Sequence, residues 1–259
     1  MNAAALIEAA DRNYIAAYER VARHARWDVA SDVRHFGRAV AIVTGHPSVG
    51  FYNPVIATAD GTPTQDVTSA IAWVRSLGLP VSVHVRDGVG DARLPVELRG
   101  FELEPDPWST PVMAIHPIPD SPGPAVDVRI EVADLDTFDR WRRVFAEGDE
   151  ALVRVNRTFG SGMVTDPDVR FFSGSVDGRG VATSIAIRSD SVVGVYAVGT
   201  YEAYRRRGIG AAMTWAGVRM GLEWGCSTAV LQSSEMGLGV YQAMGFRPLT
   251  SYVLYEPGH

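Results

Sequence analysis

Apolar positions recur along the chain in three patterns: short continuous runs, alternating runs, and runs of helical period. Leu6, Ile7, Ala10, Tyr14, Ala17, Tyr18 and Val21 fall on one face of a helix over 2–26. Strand-like runs follow at 32–36, 38–44 and 51–58. A helix over 66–77 ends at Gly78, and 81–85 is again a strand. A proline-rich passage, 106–124, carries the apolar run Val112–Ile115 and ends in the linker-like IPDSPGP. Beyond it the pattern predicts a strand at 126–132, a helix at 134–145, a short apolar run at 152–155, and hairpin strands at 170–175 and 181–188 around Asp177-Gly178. Val192–Thr200 is apolar and β-branched, a buried strand. A helix over 211–224 stops at Gly225, and 228–232 is a further strand.

The chemistry gathers between the strand at 192–200 and the helix after it. There stand Arg205-Arg206-Arg207-Gly208-Ile209-Gly210, at a strand-to-helix junction. At such a junction backbone N–H groups are unpaired and the helix dipole is positive. Glycine at 208 and 210 leaves room for a ligand to approach the backbone, and three arginines favour a polyanion such as a pyrophosphate. A Walker loop needs a lysine, and the chain has none. A dinucleotide fingerprint needs a third glycine, where Met213 stands.

The spacing RxxGxG, followed by a strand, Ser234, then Tyr241 four residues before Gly245-Phe246, resembles the acetyl-CoA loop and following segment of the GCN5-related N-acetyltransferases, the GNAT superfamily. The resemblance covers roughly 126 to the C-terminus. It implies an α+β (α/β/α) fold with a mixed, mostly antiparallel central sheet flanked by helices. It implies acetyl-CoA as cosubstrate, without a metal, and transfer of the acetyl group to a primary amine by direct attack in a ternary complex. The main chain of Val198, Gly199 and Thr200 would bond the cofactor arm. Arg205, Arg206, Arg207, Gly208, Ile209, Gly210 and Ala211 would hold the pyrophosphate. Ser234, where many members carry asparagine, would bond the pantetheine with shorter reach. Tyr241 would protonate the departing thiolate.

A second copy of the pattern lies upstream. Residues 53–115 run strand, loop, helix, glycine stop, strand, short helix, Gly100-Phe101, strand, the same order as 195–255. The expected organisation is therefore two GNAT-like domains, 1–117 and 126–259, joined by 118–125. In the first copy Gly61-Thr62-Pro63-Thr64-Gln65 replaces the arginine loop, Pro63 lacks a donor, and Val96 stands four residues before Gly100. That copy is degenerate.

Composition narrows the function. A net charge of −6 argues against a nucleic-acid partner, and all 24 basic residues are arginine. The single cysteine, Cys226, excludes an intrachain disulfide and a multi-cysteine metal site. With no signal-like or membrane-spanning run, a cytoplasmic protein without a membrane partner is expected. The acceptor is a small-molecule or peptide amine, and a homodimer is compatible with the resemblance. No carboxylate lies within 192–200 to serve as base. The residues 147–168 are expected to face the acceptor, with Glu147, Asp149 and Glu150 as an acidic cluster, while His84 and His116 read as structural. Two other functions fit the same residues. One is a non-catalytic acyl-CoA sensor or partner-binding protein. The other is a tandem protein with one active half, an organisation like that of mycothiol synthase, using another acyl donor.

Overall fold

The computed structural model describes residues 1–120, 123, 126–147 and 156–258. In chain order its elements are α1 (Ala3–His24), β1 (Asp32–Phe36), β2 (Ala39–Val43), β3 (Pro54–Ala57), α2 (Thr64–Ser76), β4 (Ser82–Arg86), α3 (Leu94–Gly100), β5 (Leu103–Pro105) and β6 (Thr110–Ile115). There follow β7 (Arg129–Val132), α4 (Phe138–Phe145), β8 (Val169–Val176), β9 (Arg179–Ser189), β10 (Val192–Thr200), α5 (Ile209–Glu223), β11 (Thr228–Gln232), α6 (Leu238–Ala243) and β12 (Arg247–Pro257). Contacts divide the chain into two compact units that interleave along the sequence. One holds Met1–Ala17, Val112–Asn156 and Ser161–Leu249; the other holds Tyr18–Pro111, Arg157–Gly160 and Thr250–His259.

In the unit built largely on 18–111, strands run in the order β1-β2-β3-β4-β12. The β3–β4 pair is parallel, and the other neighbours pair antiparallel. Val67, Ile71 and Val74 of α2 are fully buried with Val43, Val55, Val83 and Leu98. Burying such a set is what an amphipathic helix on a sheet requires. The expected strand over 51–58 is shortened, because Gly50–Tyr52 winds into a 3₁₀ turn. Asn53 fixes that turn. Its Oδ1 accepts from the N–H groups of Thr44 and Gly45, and its Nδ2 donates to His46 O at 2.8 Å. His84, fully buried, bonds the Ser82 hydroxyl at 2.9 Å through Nε2, and burial drives its pKa down to about 3. It is a packed neutral ring.

In the other unit the order is β6-β11-β10-β9-β8-β7, with only β10–β11 parallel. Val193 and Val195 of β10, Ala229 and Leu231 of β11, and Ile209, Met213, Trp215 and Ala216 of α5 form one core on one face of this sheet. Helix α4 starts at Phe138, not at Asp134 as the pattern suggests. Asp134 and Thr137 bond each other's backbone N–H at 2.9 Å and close a turn instead. Likewise β7 starts at Arg129, after a tight turn in which Val128 N–H bonds Val126 O. Of the expected linker, 121, 122, 124 and 125 lie outside the described residues, as do Asp149, Glu150 and the run 152–155.

Candidate functional site: a split between two parallel strands

Strands β10 and β11 pair in parallel at Val192↔Thr228, Val193↔Ala229 and Gly194↔Val230, and there the register ends. Beyond that point each strand follows its other neighbour. Thr200 of β10 still pairs with Ala182 of β9, and Gln232 of β11 pairs with Val112 of β6. From Val195 to Thr200 one edge of β10 therefore faces a widening gap. The divergence coincides with a bulge between Tyr196 and Gly199, where Ala197 takes φ +50 and its carbonyl accepts from Thr183 Oγ1 at 3.0 Å. A bulge adds a residue to one strand and bends it. A backbone edge opened in this way offers main-chain donors and acceptors to an extended ligand.

The gap opens toward the arginine–glycine loop. Glu202–Tyr204 forms a 3₁₀ turn, Arg206 has φ +59, and Gly208 is the N-cap of α5 at φ +76. A Cβ at Gly208 would also stand 3.1 Å from Val126 Cγ2, so conformation and space both select glycine. At Gly210 a Cβ would meet only Thr200 Oγ1 at 3.7 Å, an ordinary contact. Helix α5 has no side-chain cap, and Ala212 N–H is bonded to Gly208 O. The N–H groups of Ile209, Gly210 and Ala211 thus precede the helical ladder, at the positive end of the dipole. The arginines divide. Arg205 Nε donates to Thr200 O at 3.1 Å, and its Nη2 lies 3.8 Å from Glu147 Oε1. Arg207 stacks over Tyr204 at 5.5 Å, and Arg206 is exposed.

Tyr241 projects from α6 into the core shared with α5, only 9% exposed. Burial pushes its phenol pKa up, partly offset by a hydrogen bond with the Thr214 side chain. The Thr214 hydroxyl itself donates to Gly210 O at 2.9 Å, which ties the phenol to the first turn of α5. Ser234 is exposed, and its Oγ accepts from Gly237 N–H at 3.2 Å, capping the turn ahead of α6. Between α5 and α6 runs an apolar groove of ≈ 750 Å³ lined by Ala211, Trp215, Gly239, Val240, Ala243 and Met244, among others.

On the sheet face away from α5 stand groups that the sequence pattern did not mark. The Tyr196 ring folds back over Gly194. A Cβ at Gly194 would lie 2.4 Å from that ring and 2.0 Å from Asn13 Oδ1, so only glycine fits beneath them. Asn13, fully buried on α1, accepts from Tyr196 OH at 2.5 Å and donates Nδ2 to Ile187 O and Ser189 Oγ. Burial, with Tyr14 beside it, raises the Tyr196 phenol well above its ordinary value. No sequence signal pairs positions 183 residues apart.

The upstream repeat of the pattern lacks the opening. Strands β3 and β4 stay paired from Pro54↔Ser82 to Ala57↔Val85, the whole length of β3. At the start of α2 stands Asp66, whose carboxylate accepts from Arg38 N–H at 2.8 Å. An acidic group at that helix end repels an anion. Among the described residues no group of three or more His, Cys, Asp or Glu is placed to hold a metal ion, and no helix is long and apolar enough to cross a membrane.

Comparison with known proteins adds the following. Residues 123–232 match the family model described as an acetyltransferase (GNAT) domain. The fold is similar to a GCN5-related N-acetyltransferase from Kribbella flavida, with TM-score 0.66, 21% identity and 96% of each chain covered. It is also similar to a functionally unknown conserved protein from Staphylococcus epidermidis, with TM-score 0.64, 14% identity, and 90% of this chain and 97% of that one covered. A tandem GNAT protein from the clavulanic acid biosynthesis pathway aligns with TM-score 0.55 and 12% identity over 85% of this chain and 79% of that one. At these identities the likeness is one of fold. No curated protein sequence matches the chain. The matched segment contains the bulged strand, the arginine–glycine loop and α5, so these elements stand within a segment similar to the acetyltransferase (GNAT) domain, and the chain as a whole shares the fold of GCN5-related N-acetyltransferases.

Proposed function

We propose that the protein is an acyl-CoA-dependent N-acyltransferase, moving an acetyl group from acetyl-CoA to the primary amine of an acceptor. The observation that carries this reading is the split beyond Gly194↔Val230, which leads directly to the uncapped, arginine-flanked start of α5. The N–H groups at 209–211 suit a diphosphate, with Arg206 and Arg207 adding charge. Val198, Gly199 and Thr200 offer main-chain groups to the amide-bearing arm, and the exposed Ser234, in the loop after β11, offers a hydroxyl. From Thr200 back to Tyr196 a fully extended strand would span about 13 Å, an upper bound that the bulge at Ala197 shortens. The arm between diphosphate and thioester is about as long as four to five extended residues.

The thioester supplies an activated acyl carbon, and the protein's contribution is alignment and charge. Edge N–H groups at the bulge are suited to polarise the acyl oxygen, a role worth more in a site shielded from water. A phenol is protonated at neutral pH, and burial raises the Tyr241 pKa further, so this group can be a donor to the departing thiolate. We read the unit built on 18–111 as a degenerate copy without a cofactor site, from its closed β3–β4 pair and from Asp66.

One observation favours a second reading, binding without transfer. The Tyr241 phenol is buried and engaged by Thr214, and β10 carries no carboxylate. Calorimetry with acetyl-CoA, then thiol release with a panel of primary amines, separates the two. Binding with amine-dependent thiol release supports transfer; binding without it supports a sensor. Absence of binding overturns both.

A further inference from the structure

The apex of the split has a built obstruction. On the α5 face the space beside β10 and β11 is filled by Val193, Val195, Leu231, Met213 and Tyr241, all buried in one core. The remaining face of the apex, over Gly194, is covered by the Tyr196 ring. That ring is not free to swing aside. Its hydroxyl is held at 2.5 Å by Asn13, and Asn13 is itself pinned at 3.1 Å to Ile187 O and at 2.8 Å to Ser189 Oγ. Gly194 exists as glycine because the ring and Asn13 occupy the place of its Cβ.

An arm that enters from the α5 end and runs along β10 brings its terminal group to the level of Tyr196 and Ala197. Two residues further the strands are already paired. We propose that Tyr196, braced by Asn13, sets the length of acyl chain the site takes, admitting acetyl and propionyl groups and excluding longer ones. The inference rests on the acyl-CoA reading above and specifies its donor. The braced phenol makes the barrier stiff, because moving the ring leaves Asn13 Oδ1, in a fully buried side chain, without its donor.

The test is direct binding, which needs no acceptor. Calorimetry with CoA, acetyl-CoA, propionyl-CoA, butyryl-CoA and hexanoyl-CoA is run on the wild-type protein and on Tyr196→Ala. The wild type is expected to bind acetyl-CoA at least about tenfold more tightly than hexanoyl-CoA, the discrimination an ill-fitting methylene produces. Tyr196→Ala is expected to bring that ratio close to one while leaving the affinity for CoA itself unchanged. Tyr196→Val, which keeps a strand-forming residue, serves if the alanine variant does not fold. Equal wild-type affinity for the short and long thioesters overturns the proposal, as does an unchanged ratio in a folded variant. If CoA does not bind at all, the acyl-CoA reading falls and this inference with it; if CoA binds without regard to chain length, only the inference falls.

Discussion

The phenol of Tyr196 donates a 2.5 Å hydrogen bond to Oδ1 of Asn13, joining the centre of β10 to the first half of α1. Asn13 is fully buried and also donates to Ile187 O and Ser189 Oγ, so one side chain ties α1 to β9 and β10 just below the bulge. Asn13→Ala is expected to cost about 2–4 kcal/mol, because several buried polar groups lose partners at once. Tyr196→Phe removes one donor and is expected to cost about 1–3 kcal/mol. Urea denaturation measures both, and equal stability of wild type and Asn13→Ala would refute the brace.

Gly208 and Gly210 separate conformation from ligand approach. Gly210→Asp keeps the fold, since the added Cβ meets only an ordinary contact, and a carboxylate in the first turn suits the helix dipole. Its charge stands where the diphosphate is proposed to bind. Acetyl-CoA affinity is expected to fall more than about tenfold at an unchanged or higher Tm. Gly208→Ala is expected to lower Tm instead, because φ +76 strains an alanine by about 1–2 kcal/mol. Calorimetry paired with thermal melts reads both. Undiminished affinity in a folded Gly210→Asp variant removes the phosphate assignment.

Tyr241→Phe deletes one oxygen while keeping the ring against Phe246. If the phenol is the proton donor, kcat and kcat/KM are expected to fall together by about 10–100-fold with acetyl-CoA affinity held. Loss of the Thr214 hydrogen bond adds about 1 kcal/mol of destabilisation. Steady-state kinetics separate the roles. A raised KM at constant kcat points to ground-state binding, and an unaltered rate with a small loss of stability points to packing alone.

Acetyl-CoA is expected to bind once per chain. The β3–β4 pair is closed to the end of β3, and Asp66 occupies the start of α2. Two equivalent calorimetric sites would contradict the degenerate reading.

His84 makes stability depend on pH with a definite sign. Its folded pKa of about 3 lies below the ordinary value of 6.5, so below pH 6.5 the unfolded chain binds a proton that the folded chain does not. The stability contributed by the neutral ring is present above pH 6.5 and lost as pH falls toward 3. Between pH 7 and pH 5 the loss is about 2 kcal/mol. His84→Phe, packed beside Tyr18 and Phe51, is expected to flatten this slope, and Ser82 keeps its bond to Gly50 O. Parallel urea titrations at the two pH values check it.

The residue pattern alone determined β10 at 192–200 and β11 at 228–232, the glycine stop between them, and the loop whose arginines and glycines suit an anion. These are local properties. A run of β-branched residues favours a strand wherever it packs, and a glycine needed at positive φ announces a turn. Local pattern placed the start of α4 four residues early, because Asp134 and Thr137 chose each other's backbone over the helix. It also gave Gly208 and Gly210 one role, where only Gly208 is held by conformation. The opening itself was beyond its reach. Where β10 and β11 part is decided by the pull of separate partners, β9 and β6, and by a bulge that appears only when register is set between strands. The brace of Tyr196 by Asn13, the tether of Tyr241 to Thr214, and the pairing of β12 with β4 join residues far apart in sequence. Side chains of these types pack in many places, and only the folded chain brings these particular ones within hydrogen-bonding distance.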